Sequence, residues 1–205
     1  MASINQKNKI TNSTRKSNCG FSLVELVVFI VIVTTAIAGV VGALSWMSGH
    51  SADPLARKQA IAIAESLMQE IQQMPFTFCD PDDPNASTST GPGNCANSQS
   101  ANLNGPTPAN ESRYSAINPF DNVADYGGFT MPGGGCASIC RIGSNASIPG
   151  LTAYSAAVVI SQAGGAAPFT GMAADAVLKI VVTVTGPANT TIRLTGFKVR
   201  YAPRV

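Results

Sequence analysis

The sequence predicts an α+β protein. A long N-terminal helix, its hydrophobic half protruding, packs its second half on a C-terminal antiparallel β-sheet, with a long disulfide-stapled loop region between them. Three observations predict this. Leu26 to Leu44 carries no charged residue. The last fifty residues alternate polar and apolar side chains in β-rich runs. Between them, turn-forming residues dominate and four cysteines are spread. The expected segments are a basic leader (1–20), an apolar helix (21–47), an amphipathic helix (53–75), a loop-rich region (76–150) and the sheet (151–205).

Composition narrows the function classes. Of 205 residues, 45% are hydrophobic and only 12% charged, which suits an anchor joined to an exported, small-residue domain. Lys7, Lys9, Arg15 and Lys16 precede the apolar run, and no acid lies among them. Without them the formal charge changes from +2 to −2, nine bases against eleven acids. The basic head therefore acts as an orientation signal: it stays cytoplasmic and the rest faces outward. No dense Lys/Arg cluster supports nucleic-acid binding.

The nineteen residues Leu26–Leu44 would rise about 28 Å as a helix, enough to cross a bilayer core. A secretory signal peptide cut near Val41-Gly42-Ala43 is the rival reading, but the run is long for one. Glu25 fits neither an ordinary anchor nor a signal peptide. A carboxylate entering the apolar phase costs several kcal/mol unless neutralised or paired, and so marks a functional position. A cut between Gly20 and Phe21 would supply the partner: a free α-amine one helical turn from Glu25, or the same amine on a staggered neighbouring subunit.

The stretch Gly20-Phe21-Ser22-Leu23-Val24-Glu25-Leu26 resembles the leader motif of type IV prepilins, G-F-[ST]-L-[IV]-E-[LMV], at every position. The resemblance implies a type IV pilin-like fold. It implies cleavage after Gly20 by prepilin peptidase, N-methylation of Phe21 and an assembly role for Glu25. It also implies other pilin subunits and an inner-membrane assembly platform as partners. Many major pilins have a proline where this chain has Gly42, so a proline kink is not expected; Gly39 and Gly42 weaken the helix instead.

After the anchor, Ser48-Gly49-His50-Ser51-Ala52 is expected to interrupt the helix, with Asp53 as N-cap and Pro54 at the first position of a second one. There Ala60, Ala64, Leu67, Ile71 and Met74 form an apolar stripe, widened by Ile61, Ile63 and Met68. Arg57, Lys58, Glu65, Glu70 and Gln72 take the other sides. Pro75 ends the helix.

Residues 77–150 are too long for an unsupported loop. Leaving aside Cys19 of the leader, Cys79, Cys95, Cys136 and Cys140 allow three pairings. Cys79–Cys95 with Cys136–Cys140 is favoured because each closes a local loop, the first of about 17 residues and on the order of 3 kcal/mol. Their spacing is poor for zinc. Asp80, Asp82 and Asp83 offer oxygen donors for calcium. They lack the glycine-turn and distal-glutamate spacing of a known loop, so solvated turn residues are expected and no metal or cofactor is assigned. Tyr114, Phe120, Tyr126 and Phe129 are expected to pin the loop to the core.

Tyr154–Ile160, Ala176–Gly186 and Thr191–Tyr201 read as strands, with a hairpin turn over Gly186–Thr190. Alternation changes side near Gly196, which predicts a bulge there. Lys179, Arg193, Lys198, Arg200 and Arg204 along the last strands are expected to be a solvated face. One histidine, His50, and no nucleophile–base cluster argue against an enzyme. "SADPLARKQAIAIAESLMQEI", "MPFTFCDPDDPNA" and "VTVTGP…TGFKVRYAP" are similar to the D-type minor prepilins of the mannose-sensitive haemagglutinin (MSHA) pilus. That likeness implies an inner-membrane subunit of a surface filament for adhesion or motility. A type II secretion pseudopilin, or an anchored binding module or adhesin, are the alternatives.

Overall fold

A computed structural model describes residue 20, residues 22–201 and residue 204; of residues 48–53 it describes the backbone alone. The leader, Cys19 and Phe21 thus lie outside the described residues, as does the side chain of His50. One helix, α1, spans Leu23–Gln73. The chain divides into two units, residues 1–48 and 49–205.

The expected interruption at 48–52 is absent: the backbone stays helical and Pro54 lies inside α1. The Asp53-Pro54 pair reads as a helix start, but a helix already nucleated needs no second one. Proline removes a single N–H and crowds one carbonyl, at about 3 kcal/mol. Long helical patterns on both sides of it offset that cost. The stop at Pro75 is as the sequence requires. Gln73 is the last helical residue, and the Met74 N–H closes the final turn on the Ile71 carbonyl at 3.2 Å.

Four antiparallel strands follow: β1 (Thr130–Met131), β2 (Ser155–Gln162), β3 (Val177–Thr185) and β4 (Thr191–Val199). They lie side by side in sequence order. The sheet begins before residue 151, because two residues of the loop region pair with β2 as Thr130↔Ala157 and Met131↔Ala156. A strand of two residues carries too little alternation to be seen in sequence. The β3–β4 turn puts Ala188 and Asn189 at positive φ (53° and 58°). The Gly186 N–H closes the turn on the Thr190 carbonyl at 2.9 Å. Gly186 is required there, since a Cβ would meet the Tyr154 ring at 2.5 Å.

No bulge occurs at Gly196. It pairs in register with Ile180, and the ladder runs unbroken from Val177↔Val199 to Thr185↔Thr191. Alternation in fact continues: Ile192, Leu194 and Gly196 share one face. A Cβ on Gly196 would meet the Gln72 side chain at 2.5 Å and Met68 Sδ at 2.9 Å. The glycine makes room for the helix, and the apolar signal drops out for packing reasons. Phe197 points to the other face and packs against Phe169 with the rings tilted by 58° and centroids 5.1 Å apart.

The core forms where the helix stripe meets the sheet. Ala60, Ala64, Leu67 and Ile71 are buried against Val158, Ile160, Ile180, Val182 and Val184. Ile63 joins them, while Ile61, Met68 and Met74 are half-buried at the margin. Tyr114, Phe120, Tyr126 and Phe129 belong to the same core, with Phe120 edge-on to Tyr126 (5.0 Å) and to Phe129 (5.8 Å). Each aromatic pair is worth about 0.5–1.5 kcal/mol beyond its burial, so the aromatics hold a loop with few other apolar residues.

Cys79 is bonded to Cys95 and Cys136 to Cys140. With a sequence separation of 16, the first bridge restricts the unfolded chain more than the second, with a separation of 4. Replacing Cys79 and Cys95 by serine is expected to cost on the order of 3 kcal/mol, against about 2 kcal/mol for the Cys136/Cys140 pair. Thermal unfolding of the detergent-solubilised protein measures both. An equal loss from the two pairs would contradict the loop-closure account.

The long N-terminal apolar helix, the four-stranded antiparallel sheet and the two disulfides make an α+β, type IV pilin-like architecture.

Candidate functional site

The N-terminal segment is built for an apolar medium. Leu23–Met47 is 25 residues long with a mean hydropathy of 2.7, enough by length and composition to cross a membrane. Its large side chains, among them Phe29, Ile32, Val40 and Trp46, are exposed. Its hydroxyls are satisfied internally, as an environment without water demands. Thr34 and Thr35 donate to the carbonyls of Ile30 (2.8 Å) and Val31 (2.9 Å), and Ser45 donates to that of Val41 (2.9 Å).

The helix begins just after Gly20, where the Leu26 N–H reaches the Ser22 carbonyl at 3.1 Å. Glu25 sits exposed in the first turn, where the unpaired N–H groups favour an anion by about 0.3–1 kcal/mol. A positive group arriving at the helix start would therefore find an acid one turn away, at the head of a span with no other charge. Residues 15–41 match the prokaryotic N-terminal methylation motif. The match covers the basic end of the leader, Gly20, Phe21, Glu25 and most of the apolar helix. No curated protein and no solved structure matches the chain. The motif supports a type IV pilin-like or pseudopilin precursor. It implies processing by prepilin peptidase and assembly with pilin machinery. Together with the apolar helix it fits an inner-membrane anchor.

In the folded unit, two polar constellations escaped the sequence reading. The first contains Glu70, which the helical wheel assigns to a solvent side. Instead it takes a bidentate pair of bonds from Arg113, Nε to Oε1 at 2.6 Å and Nη2 to Oε2 at 2.7 Å. The Tyr126 hydroxyl donates to Oε1 at 2.8 Å, and Arg113 Nη1 donates to the Cys140 carbonyl at 3.0 Å. The Arg113 and Glu70 side chains are 7% and 14% exposed. Burial alone would lower the Arg113 pKa, but the Glu70 carboxylate outweighs it and the net direction is up. Burial, reinforced by Glu70, raises that of Tyr126. The network ties the helix, the long loop and the Cys136–Cys140 segment together across forty-odd residues of sequence, a separation at which no periodicity gives a signal.

The second is acidic. Asp80 and Asp83, expected as solvated turn residues, are 0% and 4% exposed; Asp82 alone of the three is exposed. The Cys79–Cys95 bridge brings the turn beside residues 95–98, where the Asp80 N–H bonds the Asn97 carbonyl at 2.8 Å, and Asp80 and Asp83 are buried there. Asp83 is fully served: it accepts from the Asn85 N–H at 2.8 Å and the Asn97 N–H at 2.6 Å. Burial pushes its pKa up, those N–H groups pull it down, and the net direction is down. Asp80 and Asp82 converge instead with Glu111 and Asp121 from two other loops, their oxygens within 4.8 Å of one another. Burial first, and Asp125 among the neighbours, push Glu111 up to about 9. Burial and Asp80 push Asp121 up to about 7. Burial, opposed by the Asp82 N–H, leaves Asp80 at about 6.

Of the basic residues expected on a solvated face, Arg193 is exposed as expected, while Lys198 and Arg200 are engaged. Arg200 pairs with Asp175 at 3.0 Å and lies over the Phe76 and Phe78 rings at 4.5 and 4.8 Å. Lys198 donates to the Gln72 carbonyl at 2.6 Å.

Proposed function

We propose that the chain is a minor type IV pilin subunit, of the kind found in MSHA pili. It is inserted in the inner membrane, cut by prepilin peptidase after Gly20, N-methylated on Phe21 and assembled into, or priming, a surface filament for adhesion or motility. The observation that carries this is the coincidence of the methylation motif over residues 15–41 with an exposed apolar helix whose only acid is Glu25. A helix of that composition is unstable in water and must be covered, first by lipid and then by copies of itself or of related subunits. Contacts of this head-to-tail kind do not close on themselves and so build a filament. The role is structural rather than catalytic. The MSHA assignment rests on the resemblance of residues 51–71, residues 74–86 and the closing strands to D-type minor prepilins. A type II secretion pseudopilin would share the leader and the anchor.

The test is intact mass and N-terminal peptide mapping of the native protein from membranes and from sheared surface filaments. The expected product begins at Phe21, carries one added methyl group, and occurs in both fractions. A functional form still carrying residues 1–20, or one beginning near Gly42, would overturn the reading.

A further inference from the structure

We propose that Asp80, Asp82, Glu111 and Asp121 form a binding site for one calcium ion, which ties the disulfide-stapled turn to two other segments of the loop region. Four carboxylates from three separate stretches bring an oxygen each within 4.8 Å of the others. Convergence of acids is not enough for a site, since exposed carboxylates often gather without a ligand. The deciding feature is Glu111. It is 6% exposed, both its carboxylate oxygens are buried with no donor bonded to them, and the side chain within hydrogen-bonding reach of it is another acid, Asp125. Asp121 Oδ1 is buried and unpartnered as well. Buried polar atoms are rarely left so, and each one calls for an explanation.

The neighbouring acids make the contrast plain. Asp125, 1% exposed, accepts from the backbone N–H groups of Thr107, Asp121 and Asn122 and from the Asn122 side-chain amide. This region of the fold thus supplies donors to the carboxylates that need only structural satisfaction. It leaves Glu111 and one oxygen of Asp121 for something else. The ion pairs of the described residues, Arg113–Glu70 and Arg200–Asp175, do not reach the cluster.

Supporting contacts orient the ligands. Asn122 Nδ2 donates to Asp80 Oδ2 at 2.7 Å and to Asp125 Oδ1 at 2.9 Å. The Asn122 amide is itself fixed, because its oxygen accepts the N–H groups of Ala124 (2.8 Å) and Asp125 (3.2 Å). Asp80 Oδ1 accepts the Asp82 N–H at 2.9 Å. Outer contacts of this sort hold metal ligands in place.

The donor set selects the ion. All four donors are carboxylate oxygens, with no histidine or cysteine among them, which favours a hard cation. Calcium takes six to eight oxygens at about 2.3–2.6 Å, so opposite ligands lie up to about 5 Å apart. Magnesium, at about 2.0–2.1 Å in a strict octahedron, brings them closer and prefers one or two carboxylates with several waters. Asp82 lies at the exposed side, where water can complete the coordination sphere. Protons are the competing way to neutralise the cluster: a protonated Glu111 would donate to Asp125.

The experiment uses the full-length protein in detergent micelles. It combines equilibrium dialysis against radioactive calcium chloride with thermal unfolding in calcium chloride, magnesium chloride or a calcium chelator. The wild type is expected to bind one calcium per chain with a Kd below about 1 mM, the range of extracellular calcium modules. Its Tm should rise by several degrees with calcium and far less with magnesium. Asp82→Asn, at the exposed ligand, should weaken binding at least ten-fold and remove the calcium-dependent rise. Glu111→Gln should do the same without lowering the Tm in chelator, since it also removes a buried repulsion. Absence of calcium binding to the wild type, or binding that both variants retain, would overturn the proposal and leave protons as what neutralises the cluster.

Discussion

Glu25→Ala is expected to leave the protein in the membrane and abolish its recovery from sheared filaments. The substitution removes a carboxylate from the start of a 25-residue apolar helix, which makes insertion more favourable. An insertion signal would therefore survive or improve. Assembly would not. In the proposed processing, cleavage after Gly20 would place the new α-amine of Phe21 next to this helix. At about 4 Å and an effective dielectric near 20, an amine–carboxylate pair is worth about 4 kcal/mol. Losing it removes both the attraction and the stagger it selects between helices whose apolar surfaces otherwise slide past one another. Recovery in filaments should fall by more than ten-fold, with the processed protein accumulating in the inner membrane. Glu25→Asp should retain part of the effect, and Glu25→Gln should behave as Glu25→Ala. The measurement is quantitative immunoblotting of sheared and membrane fractions together with the N-terminal mass. Normal filament recovery of Glu25→Ala would show that apolar packing alone directs entry.

The same helix illustrates what the sequence makes legible and why. Glu25, the apolar span and the stripe Ala60–Ala64–Leu67–Ile71 are local patterns whose period is the period of the element itself, and they reappear as an exposed span and a buried seam. Strands β2 to β4 are legible for the same reason. Gly196 misleads because a missing side chain breaks the alternation although the backbone ladder is regular. Pro54 misleads because a start signal inside a long helical run is overridden by the run. The polar groups of the loop region are illegible for a different reason. Glu70 meets Arg113 and Tyr126, and Asp80 meets Glu111 and Asp121, only after the disulfides and aromatics have folded a stretch that has no period. Buried carboxylates in such a stretch look like solvated turn residues until their partners are known. A hint existed in Glu111 and Arg113 themselves, a lone acid and a lone base in the turn-rich stretch from Pro84 to Phe120.

Arg113→Ala is expected to be the most destabilising single change in the folded unit. The guanidinium fills two bonds to Glu70 and one to the Cys140 carbonyl while almost wholly buried. It also lies 5.8 and 5.7 Å from the Tyr114 and Phe129 ring centres, so its removal loosens the aromatic cluster as well. Truncation leaves the Glu70 carboxylate buried, with the Tyr126 hydroxyl as its remaining side-chain donor. Breaking a buried pair by deleting one partner costs about 3–5 kcal/mol. That is a large part of the 5–15 kcal/mol by which a domain is usually stable. Deleting both charges should cost less than the sum of the single losses, because neither is then left unpaired. Thus Glu70→Leu combined with Arg113→Met should be more stable than Arg113→Ala alone. Chemical denaturation of the wild type, Glu70→Leu, Arg113→Met and the double variant, with the disulfides intact, gives the coupling directly. If the pair were a solvated surface contact, each single variant would fall within about 1 kcal/mol of wild type and the double variant would be additive. If it is the tie between helix and loop, the single variants should also expose the loop to proteolysis near Arg141 before the sheet unfolds. The double variant should restore protection, because satisfied apolar packing can hold the loop where an unpaired charge cannot.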